Sequence, residues 1–111
     1  MTPKLPEATL DNGSIYIAGP MSGLPEYNFP AFKAAAEALR AAGWTVISPA
    51  ELFEDTNRPW TFYMRHAIKH MLDAESIYML SGWSNSRGAK VEWGLAQSLG
   101  MATFYESFEG T

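Results

Sequence analysis

The sequence contains no cysteine, and this absence is the first constraint on its chemistry. Without thiols the chain forms neither a disulfide framework nor a thiolate metal site, and it has no cysteine nucleophile. Such a composition suits a reducing compartment, so we expect a cytoplasmic protein. No apolar run approaches the ~20 residues of a membrane-spanning helix. The N-terminus also lacks a basic segment followed by an apolar one, so we expect no signal peptide and no membrane partner.

Positive charge is also scarce. Eight lysine and arginine residues stand against twelve aspartate and glutamate residues, which gives a formal net charge of −4. The basic residues are scattered along the chain and form no run, so we expect no nucleic-acid polymer as a partner. This balance still allows one small phosphate group to bind at a local loop.

The chain has enough apolar residues for one core. It is 111 residues long, with 47% hydrophobic and 18% charged residues, which is the composition of a globular domain and not of a disordered segment. Residues 1–13 carry Pro3, Pro6, Asp11, Asn12 and Gly13, and we interpret them as an irregular lead-in. The domain is then expected over residues 14–111.

Short apolar runs alternate with helical patterns along this domain. The alternation predicts an α/β fold, a three-layer sandwich whose mainly parallel sheet has four or five strands and helices on both faces. We expect the flavodoxin-like or Rossmann-like strand order 2-1-3-4. The predicted strands are Ser14–Ala18, Trp44–Ser48, Ser76–Leu80 and Met101–Tyr105, and the predicted helices are Phe29–Ala42, Trp60–Ala74 and a third that begins after Ser86.

Two loops of this predicted fold converge on one place. In parallel sheets, ligands bind beyond the carboxyl ends of the strands, where the strand order reverses. With the order 2-1-3-4, that crevice lies between the first and third strands. The loop after Ala18 is long for its type, and the Gly/Ser/Asn loop after Leu80 leads directly into a helix. Both loops open into the predicted crevice.

The third helix carries the most unusual residue. Ser86 is a good N-cap candidate, and free N–H groups at a helix start attract phosphate or another anion. We expect Val91, Leu95 and Leu99 to form the core-facing stripe, with Trp93 pointing away. Glu92 then falls at the edge of the stripe. It is either a carboxylate half-buried at a cleft, or a solvated or salt-bridged helix residue.

Three runs of this sequence resemble the nucleoside 2-deoxyribosyltransferase-like superfamily, and most closely a phage and bacterial branch known as a domain of unknown function. They are the Tyr-x-Ala-Gly-Pro-Met run at 16–21, the Asn-Phe-Pro-Ala-Phe run at 28–32 and the Gly-Trp-x-x-Ser-x-Gly-Ala run at 82–89. The resemblance covers most of residues 14–104. In that superfamily a serine stands six residues before a glutamate, as Ser86 stands before Glu92.

The resemblance implies an enzyme that cleaves or exchanges the N-glycosidic bond of a 2′-deoxynucleoside or its 5′-monophosphate. The serine spacing is similar to that of 2′-deoxynucleoside 5′-monophosphate N-hydrolases. Glu92 would be the nucleophile at the anomeric carbon, and Tyr16 would hold and polarise its carboxylate. The resemblance implies no cofactor and no metal. It implies a homo-oligomer, either a dimer or a tetramer. The implied substrate-binding residues are Gly19, Pro20, Met21, Ser22, Gly82, Trp83, Asn85, Ser86 and Gly88.

The sequence departs from the superfamily at one catalytic position. An aspartate is usual in the middle of the second helix, whereas Ala67 stands there, within the run 65–68. This departure favours an alternative, a nucleotide-binding protein that acts as a sensor or sequesters its ligand without turnover. A third possibility is an oligomerising scaffold without a small ligand, because several aromatic residues are expected at a subunit interface. These aromatic residues are Trp60, Phe62, Tyr63 and Trp93.

Several candidates also have plain structural interpretations. Tyr16 could be a core aromatic with one polar end, and Trp83 could stack on a base or only close its loop over the core. Asn28 could contact a ligand or cap the first helix. His66 and His70 are four residues apart, but without the glutamate of a zinc helix we interpret them as surface residues.

Overall fold

The alternating pattern folds as predicted. The computed structural model describes residues 5–8, 13–52 and 58–107. Within these residues, four strands alternate with three α-helices, and three single 3₁₀ turns lie in the connections. The strands are β1 (Ser14–Ala18), β2 (Thr45–Ile47), β3 (Ser76–Met79) and β4 (Ala102–Tyr105), and the helices are α1 (Phe29–Ala41), α2 (Trp60–Met71) and α3 (Arg87–Ser98).

The four strands form one parallel sheet in the order β2-β1-β3-β4, which confirms the predicted topology. All four residues of β3 pair with β1 on one side and with β4 on the other. Tyr16 lies opposite Ile77 in the first pairing, and Ile77 lies opposite Thr103 in the second. A parallel order needs crossover connections, and each helix provides one. The carboxyl ends of all four strands therefore lie at one edge of the sheet.

Helices cover the sheet on both faces, which gives the predicted three layers. Successive side chains of β1 point to opposite faces. Ile15 and Ile17 pack with α1 in one core cluster, whereas Tyr16 and Ala18 belong to a second cluster with residues of α2 and α3. The β1 alternation thus directs the Tyr16 ring toward the layer that contains Glu92.

Strand β1 has its predicted bounds, whereas several other elements are slightly shorter than predicted. α2 ends at Met71, three residues before the expected end at Ala74, and β2 comprises only Thr45–Ile47. None of the described helices is long and apolar enough to cross a bilayer. Part of the predicted lead-in lies outside the described residues. Residues 5–8 have no regular secondary structure, but the Trp44 indole N–H donates to the Pro6 carbonyl at 2.9 Å.

The buried face of α3 differs from the predicted stripe. Val91 and Leu99 are exposed, whereas Ala89, Glu92 and Ala96 are buried. Small side chains on this face allow the helix to lie close to the sheet. The core-facing stripe predicted for α3 was therefore misplaced by roughly a quarter turn around the helix axis. Trp93, expected to point away, packs against the α2/α3-side core instead.

Candidate active site

The carboxyl edge of the sheet opens between β1 and β3. The Leu80 N–H donates to the Ala18 carbonyl at 2.8 Å, and beyond this bond the chain continues into the two loops that the sequence singled out. A cavity of about 800 Å³ lies between these loops and the first residues of α2 and α3. The predicted site residues that line it are Tyr16, Gly19, Pro20, Met21, Ser22, Gly82, Asn85, Ser86, Gly88 and Glu92.

A buried carboxyl–phenol pair lies in the wall of this cavity. The Tyr16 side chain is fully buried, and Glu92 is 5% exposed. The Tyr16 hydroxyl donates to Oε2 of Glu92 at 2.5 Å. The interpretation of Glu92 as a solvated helix residue is therefore wrong, because its carboxyl is buried at a cleft and is bound by a neutral hydroxyl.

Burial changes the protonation of both members of this pair. It raises the pKa of Glu92 from 4.5 to about 7, against the opposing effect of the hydrogen bond from Tyr16. For Tyr16, burial, the nearby charge of Glu92 and the hydrogen bond to it all raise the pKa well above 10. Near neutral pH, Tyr16 is thus a hydroxyl donor and Glu92 is divided between its two forms. A carboxyl group that titrates near working pH is common at functional sites.

The start of α3 forms a second part of the wall. Ser86 caps the helix as predicted, since its hydroxyl accepts from the Ala89 N–H at 3.2 Å. The first N–H groups of a helix have no partner within the helix, and Gly88 lies with them beside the cavity. A β-carbon at Gly88 would lie 2.9 Å from Sδ of Met64, so glycine permits the close approach of α3 to α2.

The loop after β1 forms the opposite wall. Asn28 does not cap α1 through its side chain, and this prediction was wrong. Asn28 adopts a left-handed conformation with a φ of 61°, and its Nδ2 donates to the Pro20 carbonyl at 3.0 Å. This bond closes the loop 20–28 on itself. The exposed Ser22 and Tyr27 line the cavity from this loop.

Two arginines and two aromatic residues that are not among the predicted site residues also line the cavity. They are Arg58, Trp60, Tyr63 and Arg87. The Arg87 guanidinium carbon lies 3.7 Å from the centroid of the Trp60 ring. The predicted sheet topology is enough to place these residues at the site. A crossover helix begins at the carboxyl edge of a parallel sheet, so the first residues of α2 and α3 belong at the crevice.

The predicted residue Trp83 lies apart from the cavity. It is buried in the core and stacks on Trp93, with ring centroids 5.3 Å apart. The Trp93 indole N–H in turn donates to the Tyr105 hydroxyl at 2.9 Å. Of the two interpretations of Trp83, the structure favours the one in which it closes its loop over the core. Trp93 also has an intramolecular partner, so it adds little to an aromatic interface.

The second helix supplies no acid to the cavity. Ala67 lines it, at the position where the resemblance expects an aspartate. His66 and Asp73 are exposed and lie outside the cavity lining, so neither replaces that aspartate there. Within residues 5–8, 13–52 and 58–107, no three His, Asp or Glu side chains cluster as a metal site.

The fold and this site together define a class of protein. A parallel sheet of order 2-1-3-4, with a buried carboxyl at the crevice between β1 and β3, fits the nucleoside 2-deoxyribosyltransferase-like superfamily. Among solved structures, the chain is similar to a 2-deoxyribosyltransferase of the psychrotolerant bacterium Bacillus psychrosaccharolyticus, described as a biocatalyst for nucleoside synthesis. The identity is 25% and the TM-score 0.67, over 88% of this chain and 76% of that one.

The family assignment is more specific. Residues 13–105 match the family described as "Domain of unknown function (DUF4406)". Because this match spans most of the chain, the chain belongs to that family. No curated protein matches the sequence significantly. The predicted resemblance is thus confirmed for the superfamily and the fold.

Proposed function

We propose that this protein cleaves or exchanges the N-glycosidic bond of a 2′-deoxynucleoside or its 5′-monophosphate, with Glu92 as the nucleophile. The observation that carries the proposal is the buried Glu92 carboxyl, which accepts from the Tyr16 hydroxyl at 2.5 Å and lines a cavity of about 800 Å³. The similarity to a 2-deoxyribosyltransferase supports glycosyl transfer or cleavage in general.

The proposed reaction has two displacements at the anomeric carbon. In the first, a Glu92 carboxylate oxygen bonds to that carbon while the bond to the base nitrogen breaks. The base leaves with the electron pair and takes up a proton, and a glycosyl ester remains. In the second, water or another base attacks the same carbon, the ester bond breaks, and the attacking group loses its proton. Glu92 is then a carboxylate again, as in retaining glycosidases.

The surroundings of Glu92 suit this chemistry. Breaking the bond builds positive charge on the sugar ring, and a carboxylate in a dry wall interacts with that charge more strongly than one in water. A deoxyribose lacks the electron-withdrawing 2′-hydroxyl, so its bond ionises more easily. Tyr16 donates its hydroxyl to the carboxyl, and its ring is fully buried in the core.

The remaining predicted residues have proposed roles in substrate binding. Ser86 and the N–H groups at the start of α3 are placed to receive the 5′-hydroxyl or 5′-phosphate, with Ser22 from the opposite wall. The loop residues after β1 and β3 enclose the sugar. They are Gly19, Pro20, Met21, Gly82 and Asn85, together with Gly88 on α3.

Release of free base tests the proposal. The purified protein is incubated with the common 2′-deoxynucleosides and their 5′-monophosphates, with and without a second base as acceptor, and the products are separated by chromatography. We expect free base, or an exchanged nucleoside, from at least one substrate. No base release from any member of the panel after long incubation would refute an enzymatic role.

A nucleotide-binding protein without turnover is the alternative, and one observation favours it. Among the described residues that line the cavity, Glu92 is the only carboxylic acid, since Ala67 occupies the position of the expected aspartate. The leaving base then has no second acidic side chain there to protonate it. Equilibrium binding of a deoxynucleotide together with no release of base would select this alternative.

A further inference from the structure

A cation lines the cavity of a chain that is acidic overall. The chain has a formal net charge of −4, yet the Arg87 guanidinium lines the cavity, as does the Glu92 carboxyl. Burial raises the pKa of that carboxyl to about 7, so part of the Glu92 population is uncharged at neutral pH. The Arg87 side of the cavity therefore favours an anionic group.

Arg87 is held in a form that suits anion binding. Its guanidinium carbon lies over the Trp60 ring, 3.7 Å from the centroid. Stacking restricts the plane of the group while its N–H edges stay available to a planar or tetrahedral oxyanion. Among the described residues, Arg87 forms no salt bridge, whereas Arg40 pairs with Glu51 on the surface. The donor edges of Arg87 are thus not committed to a carboxylate of the described chain.

Arg87 and Glu92 lie on the same helix and line the same cavity. A rise of ~1.5 Å per residue separates their α-carbons by roughly 8 Å along the axis of α3. Glu92 is buried and Arg87 is exposed. In a nucleoside 5′-monophosphate, one sugar ring and one methylene lie between the anomeric carbon and the phosphate ester. A sugar with its anomeric carbon at Glu92 and its 5′ substituent at the start of α3 has its phosphate beside Arg87.

We propose that Arg87, which stacks over Trp60, binds the 5′-phosphate and makes deoxynucleoside 5′-monophosphates better substrates of this site than free deoxynucleosides. The inference rests on the proposed function and narrows its substrate class. Arg87 is a substrate-binding residue in this account, and Trp60 is a positioning residue that acts through it. Charge-assisted hydrogen bonds to a guanidinium supply the preference.

The test compares each monophosphate with its own nucleoside. In the native protein, kcat/KM for base release from the monophosphate exceeds that from the nucleoside. In Arg87→Met, which keeps a long apolar side chain, the ratio of kcat/KM for the monophosphate to kcat/KM for the nucleoside falls on the order of 10- to 100-fold. The matched control is Lys90→Met, which removes an exposed cation of α3 outside the cavity lining and leaves both values unchanged.

Trp60 is tested by rescue. Trp60→Leu removes the stacking surface, so KM for the monophosphate rises while kcat changes little, and Trp60→Phe restores most of the affinity. Equal losses in Trp60→Phe and Trp60→Leu would overturn the positioning role.

A binding measurement separates failure of this inference from failure of the proposed function. Deoxyribose 5-phosphate is added to the native protein and to Arg87→Met, and the melting temperature is followed. We expect a rise in the native protein and none in the variant. Base release from nucleosides and monophosphates at equal kcat/KM, with no effect of Arg87→Met, would overturn the inference and leave the proposed function standing. No base release from either class would refute the function itself.

Discussion

Among single residues, Glu92 and Tyr16 form the part of the site where the chemistry is proposed. A buried ionisable group lowers the stability of the fold, because its charged form has lost water without gaining a countercharge. Here a neutral hydroxyl is the hydrogen-bond partner, and the pKa of Glu92 stays raised to about 7. A residue with a merely structural role would be replaced by glutamine or an apolar side chain without this cost. The retained carboxyl is consistent with a chemical role.

The raised pKa of Glu92 predicts how stability depends on pH. Between pH 4.5 and about 7 the folded state holds a proton that the unfolded state has lost, so stability falls as pH rises through this window. The loss is about 2–3 kcal/mol. Glu92→Gln keeps an acceptor for Tyr16 but does not titrate, so the variant should escape this loss. Urea unfolding at pH 5 and pH 8.5 measures it, and an equal pH-dependent loss in both proteins would contradict the assignment.

Removing the Tyr16 hydroxyl should move the same titration. The hydrogen bond from Tyr16 lowers the pKa of Glu92 against the effect of burial, so Tyr16→Phe should raise that pKa above 7. Because the ionised form is the nucleophile, we expect kcat/KM to rise with pH in the native protein. In the variant the midpoint of this rise should shift up by roughly one to two pH units.

The control for this profile is Tyr63→Phe, which removes a hydroxyl from another wall of the cavity. Its midpoint should stay at the native value. An unshifted midpoint in Tyr16→Phe, or the same shift in both variants, would show that the hydrogen bond does not tune Glu92.

At the scale of elements, the crevice exists because β1 and β3 can approach closely and then separate. Gly19 is the first residue after β1, and a β-carbon there would lie 2.7 Å from the β-carbon of Leu80. The Ala18 carbonyl accepts from the Leu80 N–H at the same point. Glycine therefore permits the last strand-to-strand contact before the loops open into the cavity.

Gly19→Ala should therefore destabilise the protein. The added carbon overpacks the contact with Leu80, at a cost of roughly 1–3 kcal/mol. Gly94→Ala is the matched control, because Gly94 lies in α3 with no atom within 4 Å of an added β-carbon. We expect that control to be neutral or more stable by about 0.5–1 kcal/mol. Chemical denaturation compares the two, and equal stabilities would show that the contact relaxes freely.

The elements also show how far the sequence alone predicts this molecule. The positions of strands and helices can be predicted from apolar runs and from the glycine and proline residues that end them. The Ser86 cap can be predicted because a serine hydroxyl accepts a hydrogen bond from a first-turn N–H. The buried face of α3 does not follow, because hydrophobicity favours Val91 and Leu99 inside, whereas close packing needs alanines there. The Arg87–Trp60 contact joins two helices distant in sequence, so periodicity within either helix does not show it.

At the scale of the whole molecule, the topology creates the site. The order β2-β1-β3-β4 brings the loop after β1, the loop after β3 and the first residues of α2 and α3 to one edge. The sequence predicts this edge correctly, because parallel order and right-handed crossovers leave few alternatives. It leaves two interpretations of Trp83 open, because a tryptophan in a glycine-rich loop has the same local pattern whether it faces a ligand or stacks in the core, as Trp83 does on Trp93.

The expected homo-oligomer is also a property of the whole molecule. Val91 is 40% exposed and Leu99 57% exposed on the outer side of α3, which leaves apolar surface uncovered in a single chain. We expect a dimer or tetramer of the 12.3 kDa chain in solution. Sedimentation velocity over a range of concentrations measures this directly, and a monomer at every concentration would contradict the expectation.

The rate of base release by Glu92→Gln shows whether Glu92 is the nucleophile. Glutamine keeps the size of the side chain and an acceptor for Tyr16 but cannot form the glycosyl ester. Glu75→Gln, a change of an exposed glutamate outside the cavity, is the control. We expect a loss of about 10³-fold or more in kcat for Glu92→Gln and native turnover for the control. A Glu92→Gln protein that releases base within tenfold of the native rate would show that Glu92 is not the nucleophile.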